Sequence, residues 1–166
     1  SFLSLDGKAL YLTSRRPWEN DETENMRDFM LNQYPEDIYV SLMDNNKNWG
    51  EVKRLEMCKP NLNEASVSFS SDEREVFLYD DSTGFGDIFI SEYVGREYKT
   101  PTPVINEGVN TEEGWETHFI KSPDGNTIYF VSDREGGYGK RDIWFIEKTN
   151  KDADIDEFIE GIDEKP

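Results

Sequence analysis

The side chains that could do chemistry in this chain are mostly carboxylates. There are 36 Asp and Glu against 18 Lys and Arg, with one histidine, His118, and one cysteine, Cys58. One histidine excludes a histidine-built metal cluster, and one cysteine excludes an internal disulfide or a thiolate cluster. A Ser-His-Asp triad would need His118, in Trp115-Glu116-Thr117-His118-Phe119-Ile120, and no Gly-x-Ser-x-Gly elbow is present to offer a serine. His118 reads instead as a strand residue satisfied by a neighbour. Acid pairs for glycoside hydrolysis are available by number, but nothing singles one out. Asp80, Asp81 and Asp87 could hold calcium, which takes oxygen ligands, although Asp more commonly caps turns. Asp152-Ala153-Asp154-Ile155-Asp156 starts like an EF-hand loop, but Glu157 stands where Gly is needed and no helix leads in. Gly137-x-Gly139 has no following helix and no Lys-Ser/Thr, so it does not read as a phosphate cradle. The expectation is a chain with no catalytic set, no metal and no cofactor.

The elements that position these residues come from a repeat. Ser4-Leu5-Asp6-Gly7-Lys8-Ala9-Leu10-Tyr11-Leu12, Ser70-Ser71-Asp72-Glu73-Arg74-Glu75-Val76-Phe77-Leu78 and Ser122-Pro123-Asp124-Gly125-Asn126-Thr127-Ile128-Tyr129-Phe130 are three copies of one phrase. Each is followed by a second phrase: Asp37-Ile38-Tyr39-Val40, Asp87-Ile88-Phe89-Ile90 and Asp142-Ile143-Trp144-Phe145. The period of about 50 residues is that of propeller-type repeats. Each copy predicts an antiparallel sheet of strands a to d. Asp6-Gly7 and Asp124-Gly125 signal type I′ turns between a and b, and Asp72-Glu73 predicts a different turn in the second copy. Strand b is expected at 10–13, 76–79 and 128–131, and strand c from each Asp-Ile pair. Strand d is expected at 49–55 and 98–104, where Pro101 and Pro103 suit an outer edge. Strands b and c are almost continuously apolar, as strands buried on both faces are.

The predicted fold is therefore all-β: a β-propeller with about three four-stranded blades, at about 1–56, 57–105 and 106–148, and an acidic tail over 149–166. A β-sandwich of hairpins is the weaker reading because of the repeat. Three copies fall short of the roughly 4–8 blades that close a propeller. The missing blades are expected from a longer chain rather than from associating copies. In the tail, Ile155, Phe158, Ile159 and Ile162 have helical spacing and predict a short helix, with a replacement strand d as the alternative.

Composition limits the partners. The net charge is -18 over 166 residues, which argues against nucleic acid, whose phosphates need Lys and Arg, and against an anionic membrane surface. With 10 Phe, 8 Tyr and 4 Trp the chain is too aromatic for an acidic disordered segment. No apolar run approaches the ~18 residues of a membrane span. The opening Ser1-Phe2-Leu3-Ser4 has no methionine, as expected of a processed or excised segment.

In a four-stranded meander the three b–c loops share a face, which gathers residues 15–36, 81–86 and 134–141. Loops on a rigid scaffold are where binding residues concentrate. The candidate binding residues on this face are Trp18, Asp21, Glu22 and Phe29 in the long first loop, Asp81 and Phe85 in the second, and Asp133, Arg134, Tyr138 and Arg141 in the third. The first loop is expected to form a contact surface or a solvated excursion with one helical turn at 24–31. Trp18, Phe85 and Tyr138 could also stack on sugar rings.

The third copy, Ser122-Pro123-Asp124-Gly125…Ile128-Tyr129-Phe130…Ser132-Asp133-Arg134…Gly136-Gly137…Asp142-Ile143-Trp144, resembles the TolB-like (WD40-like) propeller repeat. It is closest to versions in Bacteroidetes cell-envelope proteins, which join the propeller to an OmpA-like peptidoglycan-binding domain. Val104-Ile105-Asn106…Val109-Asn110-Thr111…Glu116 and Trp49-Gly50-Glu51-Val52 resemble the links between blades in that group. The first copy departs from the pattern by its long loop and by Arg15, and the second by lacking Gly in its turn. The resemblance implies a non-catalytic, protein-binding scaffold in the periplasm or at the outer membrane, possible secretion or motility machinery, and peptidoglycan association through a domain not in this chain. It supplies no catalytic residues. The alternatives are a propeller domain of a larger peptidase or glycan-active enzyme, and a glycan-binding module.

Overall fold

A computed structural model describes residues 1–18, 32–95, 97–104 and 108–147, which form strands and no helix. The first sheet runs β1 (Phe2–Leu3), β2 (Ala9–Ser14), β3 (Asp37–Leu42) and β4 (Lys53–Arg54) in sequence order. The second holds β5 (Glu64–Phe69), β6 (Glu75–Asp80) and β7 (Asp87–Val94), with β8 (Glu97–Tyr98) and β9 (Thr102–Pro103) both returning to β7. The third is β10 (Glu116–Lys121), β11 (Thr127–Ser132) and β12 (Asp142–Glu147). Every pairing is antiparallel between neighbours, and the b and c strands pair in the same register in each sheet: Ser14↔Asp37, Asp80↔Asp87 and Ser132↔Asp142. This is the predicted β-propeller meander, seen as three consecutive blades. Pro103 lies in the outermost strand of the second blade, where its missing N–H interrupts no further pairing. The predicted tail helix and the turn at 24–31 lie outside the described residues.

Strand alternation sends neighbouring side chains of the middle blade to opposite sides. Phe77 and Ile88 pack toward the third blade with Val109, Phe119, Ile128, Phe130 and Ile146. Leu78 and Phe89 pack toward the first with Ile38, Leu55 and Cys58. Each such buried side chain contributes roughly 1.5–3 kcal/mol. Burial on both faces, expected of every b and c strand, holds for β6 and β7 and for β3, where Asp37, Ile38, Tyr39 and Ser41 are all buried, but not for β2, β11 or β12. All of β2 is half-buried, and Ile143 in β12 is 74% exposed. For β2, β11 and β12 the cause is position: only the middle blade has a described neighbour on each side, whereas β3 is covered on its second face by neighbours that include the Arg16 guanidinium over the Tyr39 ring.

The a–b turns correct the expected turn type. Type I′ needs positive φ at both central residues, whereas each turn here has one such residue: Gly7 (φ 70°), Glu73 (φ 57°) and Gly125 (φ 70°). The second turn was expected to differ, yet Glu73 adopts the conformation glycine takes in the other two. The shared Ser-x-Asp sets it. Ser4, Ser70 and Ser122 each donate a hydroxyl to the Asp two residues on, at 2.7, 2.7 and 2.6 Å. Each also accepts the N–H five residues on, from Ala9, Glu75 and Thr127. The Glu73 carboxylate in turn accepts the Leu5 N–H of the first blade at 2.6 Å.

Candidate functional site

Each b–c loop leaves the matching end of its sheet, after Ser14, Asp80 and Ser132, and beside the first of them lies a groove of about 1200 Å³ whose lining includes Thr13, Arg15, Tyr34, Tyr79, Trp115 and His118. Trp115 is the fixed point of this groove. Its Nε1–H donates to the Tyr79 hydroxyl at 3.2 Å, and the Arg141 guanidinium stacks on its ring at 3.7 Å. Phe85 and Tyr138 stand out from the neighbouring loops at 55% and 77% exposure. His118 does lie in a strand, β10, but it is exposed, at φ 54°, in the bulge between Thr117 and Ile120.

Four other predicted residues turn out to hold the loops in place. Trp18 is half-buried, donates its Nε1–H to Asp37 Oδ2 at 2.8 Å, and lies against the Arg54 guanidinium at 3.5 Å. It is therefore not the open stacking platform expected. Asp81 accepts both the Asn63 N–H (2.9 Å) and its side-chain amide (2.6 Å). Asp133 accepts the Trp115 N–H at 2.8 Å. Arg134 is drawn inward: it donates to the carbonyls of Gly108 and Val109 at 2.6 Å each and packs on the faces of Phe130 and Trp144. Asp80 accepts from the Ser82 N–H and the Lys59 ammonium, so two of the three aspartates offered for calcium, Asp80 and Asp81, are engaged by protein donors. Asp21, Glu22 and Phe29 lie outside the described residues.

A second constellation escaped the sequence reading. Between blades two and three, Glu116 opens β10 and its N–H donates to the Gly86 carbonyl at 2.9 Å. Asn110, six residues earlier, accepts the Ile88 N–H (2.8 Å) and donates to the Ile88 carbonyl (2.9 Å). The fully buried Glu116 carboxylate accepts the Thr111 N–H (3.1 Å) and hydroxyl (3.0 Å), the Ser132 hydroxyl (2.7 Å), and Arg134 at 3.5 Å. Between blades one and two the same frame recurs. Glu64 opens β5, its N–H donates to the Glu36 carbonyl at 2.7 Å, and its carboxylate accepts the Lys59 N–H at 2.9 Å. Cys58 takes the place of Asn110, with its sulfur 3.4 Å from the Ile38 N and 3.8 Å from the Ile38 O.

The two junctions differ in what surrounds the glutamate. By register, Asp80 stands opposite Glu64 where Ser132 stands opposite Glu116. Ser82 then occupies the place of Arg134. Glu64 Oε2 is left buried without a hydrogen-bond partner, as is Asp37 Oδ1. Burial pushes the Glu64 carboxyl up to about 8, with the charges of Asp80 and Asp37 adding and the Lys59 N–H opposing. Burial also pushes the Cys58 thiol up to about 12 and raises Asp37, against the Trp18 hydrogen bond. One signal could have exposed this junction in advance: Cys58 to Glu64 and Asn110 to Glu116 share a six-residue spacing.

No protein-family model matches the chain, and no curated protein matches it. Among solved structures it is similar to TolB from Acinetobacter baumannii, with a TM-score of 0.51 and 16% identity over 87% of this chain. The match covers 28% of TolB, so the chain spans little more than a quarter of that protein's length. What the likeness shows is the fold, and the chain is accordingly three blades of an all-β propeller resembling part of TolB.

Proposed function

We propose that this chain is a non-catalytic, protein-binding scaffold module of a bacterial cell-envelope assembly, working in the periplasm or at the outer membrane. The observation that carries the reading is the b–c loops, in which Phe85 and Tyr138 are exposed and Arg141 stacks on the fixed Trp115 ring. Aromatic and Arg side chains are the types that dominate protein interfaces. The net charge of -18 favours a neutral or cationic partner surface. Similarity to part of TolB in fold is consistent with an envelope role. The same reading assigns peptidoglycan association to a domain outside this chain.

The test is in-cell crosslinking and pull-down, read by mass spectrometry, of the protein and of a Phe85→Ala/Tyr138→Ala/Arg141→Ala variant. Stoichiometric recovery of envelope proteins, reduced at least about tenfold in the variant, is the expected result. Equal recovery from both would remove these loops as the contact surface. Recovery of the protein alone would favour the enzyme or glycan-binding readings.

A further inference from the structure

We propose that Asp37, Cys58 and Glu64 form a buried site for one divalent transition-metal ion of zinc's character, which ties the first blade to the second. One donor atom from each residue lies within 4.8 Å of the others. The three come from different segments: the first residue of β3, the link between blades, and the first residue of β5. An ion here would add a direct link between segments already joined by hydrogen bonds and apolar packing.

Two observations point to a ligand rather than to an incidental cluster. First, Asp37 and Glu64 are 0% and 1% exposed, yet each keeps one oxygen without a hydrogen-bond partner. Buried carboxylate oxygens in that condition are costly. Second, each group already has an outer partner. Trp18 donates to Asp37 Oδ2, Lys59 N–H to Glu64 Oε1, and Ile38 N–H to the Cys58 sulfur. Metal ligands are characteristically oriented in this way by outer-shell hydrogen bonds. The companion junction supplies the contrast: there an arginine provides positive charge at the buried glutamate, and here Ser82 holds that place.

The donor set selects the ion. One thiolate with two carboxylate oxygens suits zinc, which takes S and O ligands in a tetrahedron with an open fourth position. Calcium would want six to eight oxygens and no sulfur. Metal–ligand distances of about 2.0–2.3 Å place tetrahedral donors roughly 3.2–3.6 Å apart, so donors now within 4.8 Å of one another close by up to about 1.6 Å on loading. Loading forms one metal–sulfur and two metal–oxygen bonds. It releases to water the thiol proton, and the carboxyl protons where Glu64 or Asp37 carries one. Because the site is buried, the ion enters as the chain folds or as the junction opens.

The test is to refold the full chain with Co2+ or Zn2+ after chelation, beside Cys58→Asn. That variant installs the amide that Asn110 provides at the other junction, so it is designed to fold. Expected for the wild type are one metal per chain, a Co2+–thiolate charge-transfer band lost on adding Zn2+, and an unfolding midpoint raised by roughly 10 °C at a thousandfold excess of Zn2+ over Kd. In Cys58→Asn the band disappears and Zn2+ affinity falls at least about 100-fold. Trp18→Phe, which frees Asp37 Oδ2, weakens Zn2+ binding about 10-fold with the band retained. No cobalt band in the refolded wild type would overturn the proposal. So would equal Zn2+ uptake by Cys58→Asn.

Discussion

At the junction of blades two and three, Glu116 is buried among the Thr111 N–H and hydroxyl, the Ser132 hydroxyl and the Arg134 guanidinium. At the junction of blades one and two, Glu64 is buried just as deeply, with one N–H from Lys59 and an acid, Asp80, opposite it. The nearest ammonium there, on Lys59, is paired to Asp80 at 3.2 Å. The backbone frame is common to both junctions. The difference shows that repeating a fold repeats where a buried acid sits without repeating what neutralises it. A buried charge needs a partner or a proton: the second junction supplies Arg134, and the first either holds its proton or, as proposed, an ion.

Removing the internal cation should do most to break this comparison. Arg134→Ala strips a buried partner from Glu116 and leaves the Gly108 and Val109 carbonyls without donors. A loss of about 3–5 kcal/mol is expected in urea denaturation. A loss below ~1 kcal/mol would mean that Thr111 and Ser132 suffice.

Next comes pH, measured in chelator so that the first junction is read without metal. The Glu64 carboxyl titrates at about 8 when folded against an ordinary 4.5, so the folded chain binds the extra proton between those values. Its stabilisation is complete below about pH 4.5 and is lost as pH rises to 8 and above. The expected fall from pH 5 to 9 is on the order of 2–3 kcal/mol, below the full linkage value of 1.36 kcal/mol per unit. In Glu64→Gln that component should vanish. An unchanged pH profile in this variant would assign the slope to other groups.

The smallest effect sharpens the likeness between Cys58 and Asn110. In chelator, Cys58→Asn should change stability by less than ~1 kcal/mol, since an amide can bridge the Ile38 N–H and carbonyl as Asn110 bridges those of Ile88. Asn110→Ala should cost about 2 kcal/mol, because both Ile88 groups lose their partner. Equal costs for the two substitutions, by denaturant midpoint, would dissolve the correspondence.

Legibility in the sequence followed distance along the chain. The Ser-x-Asp turns and the b and c strands rest on neighbours within about ten residues, and their recurrence along the sequence carries the blades. Even so, Asp72-Glu73 misled the reading. The Ser70 hydroxyl and Asp72 carboxylate impose the turn strongly enough that Glu73 tolerates a positive φ. The candidate binding face was half legible. Phe85 and Tyr138 are exposed as expected, but Trp18 and Arg134 look like surface residues until their partners arrive. Those partners are Asp37, 19 residues from Trp18, and Val109, 25 residues from Arg134.

What the sequence by itself determined is the repeating unit: alternation and turn chemistry are local, and the three phrases spell an antiparallel blade each time. The tertiary structure alone decided which face of each strand is covered and which acids share a junction. Both depend on stacking one blade on the next, and stacking brings Asp37 of the first blade within 4.8 Å of Cys58 and Glu64, more than twenty residues further along the chain.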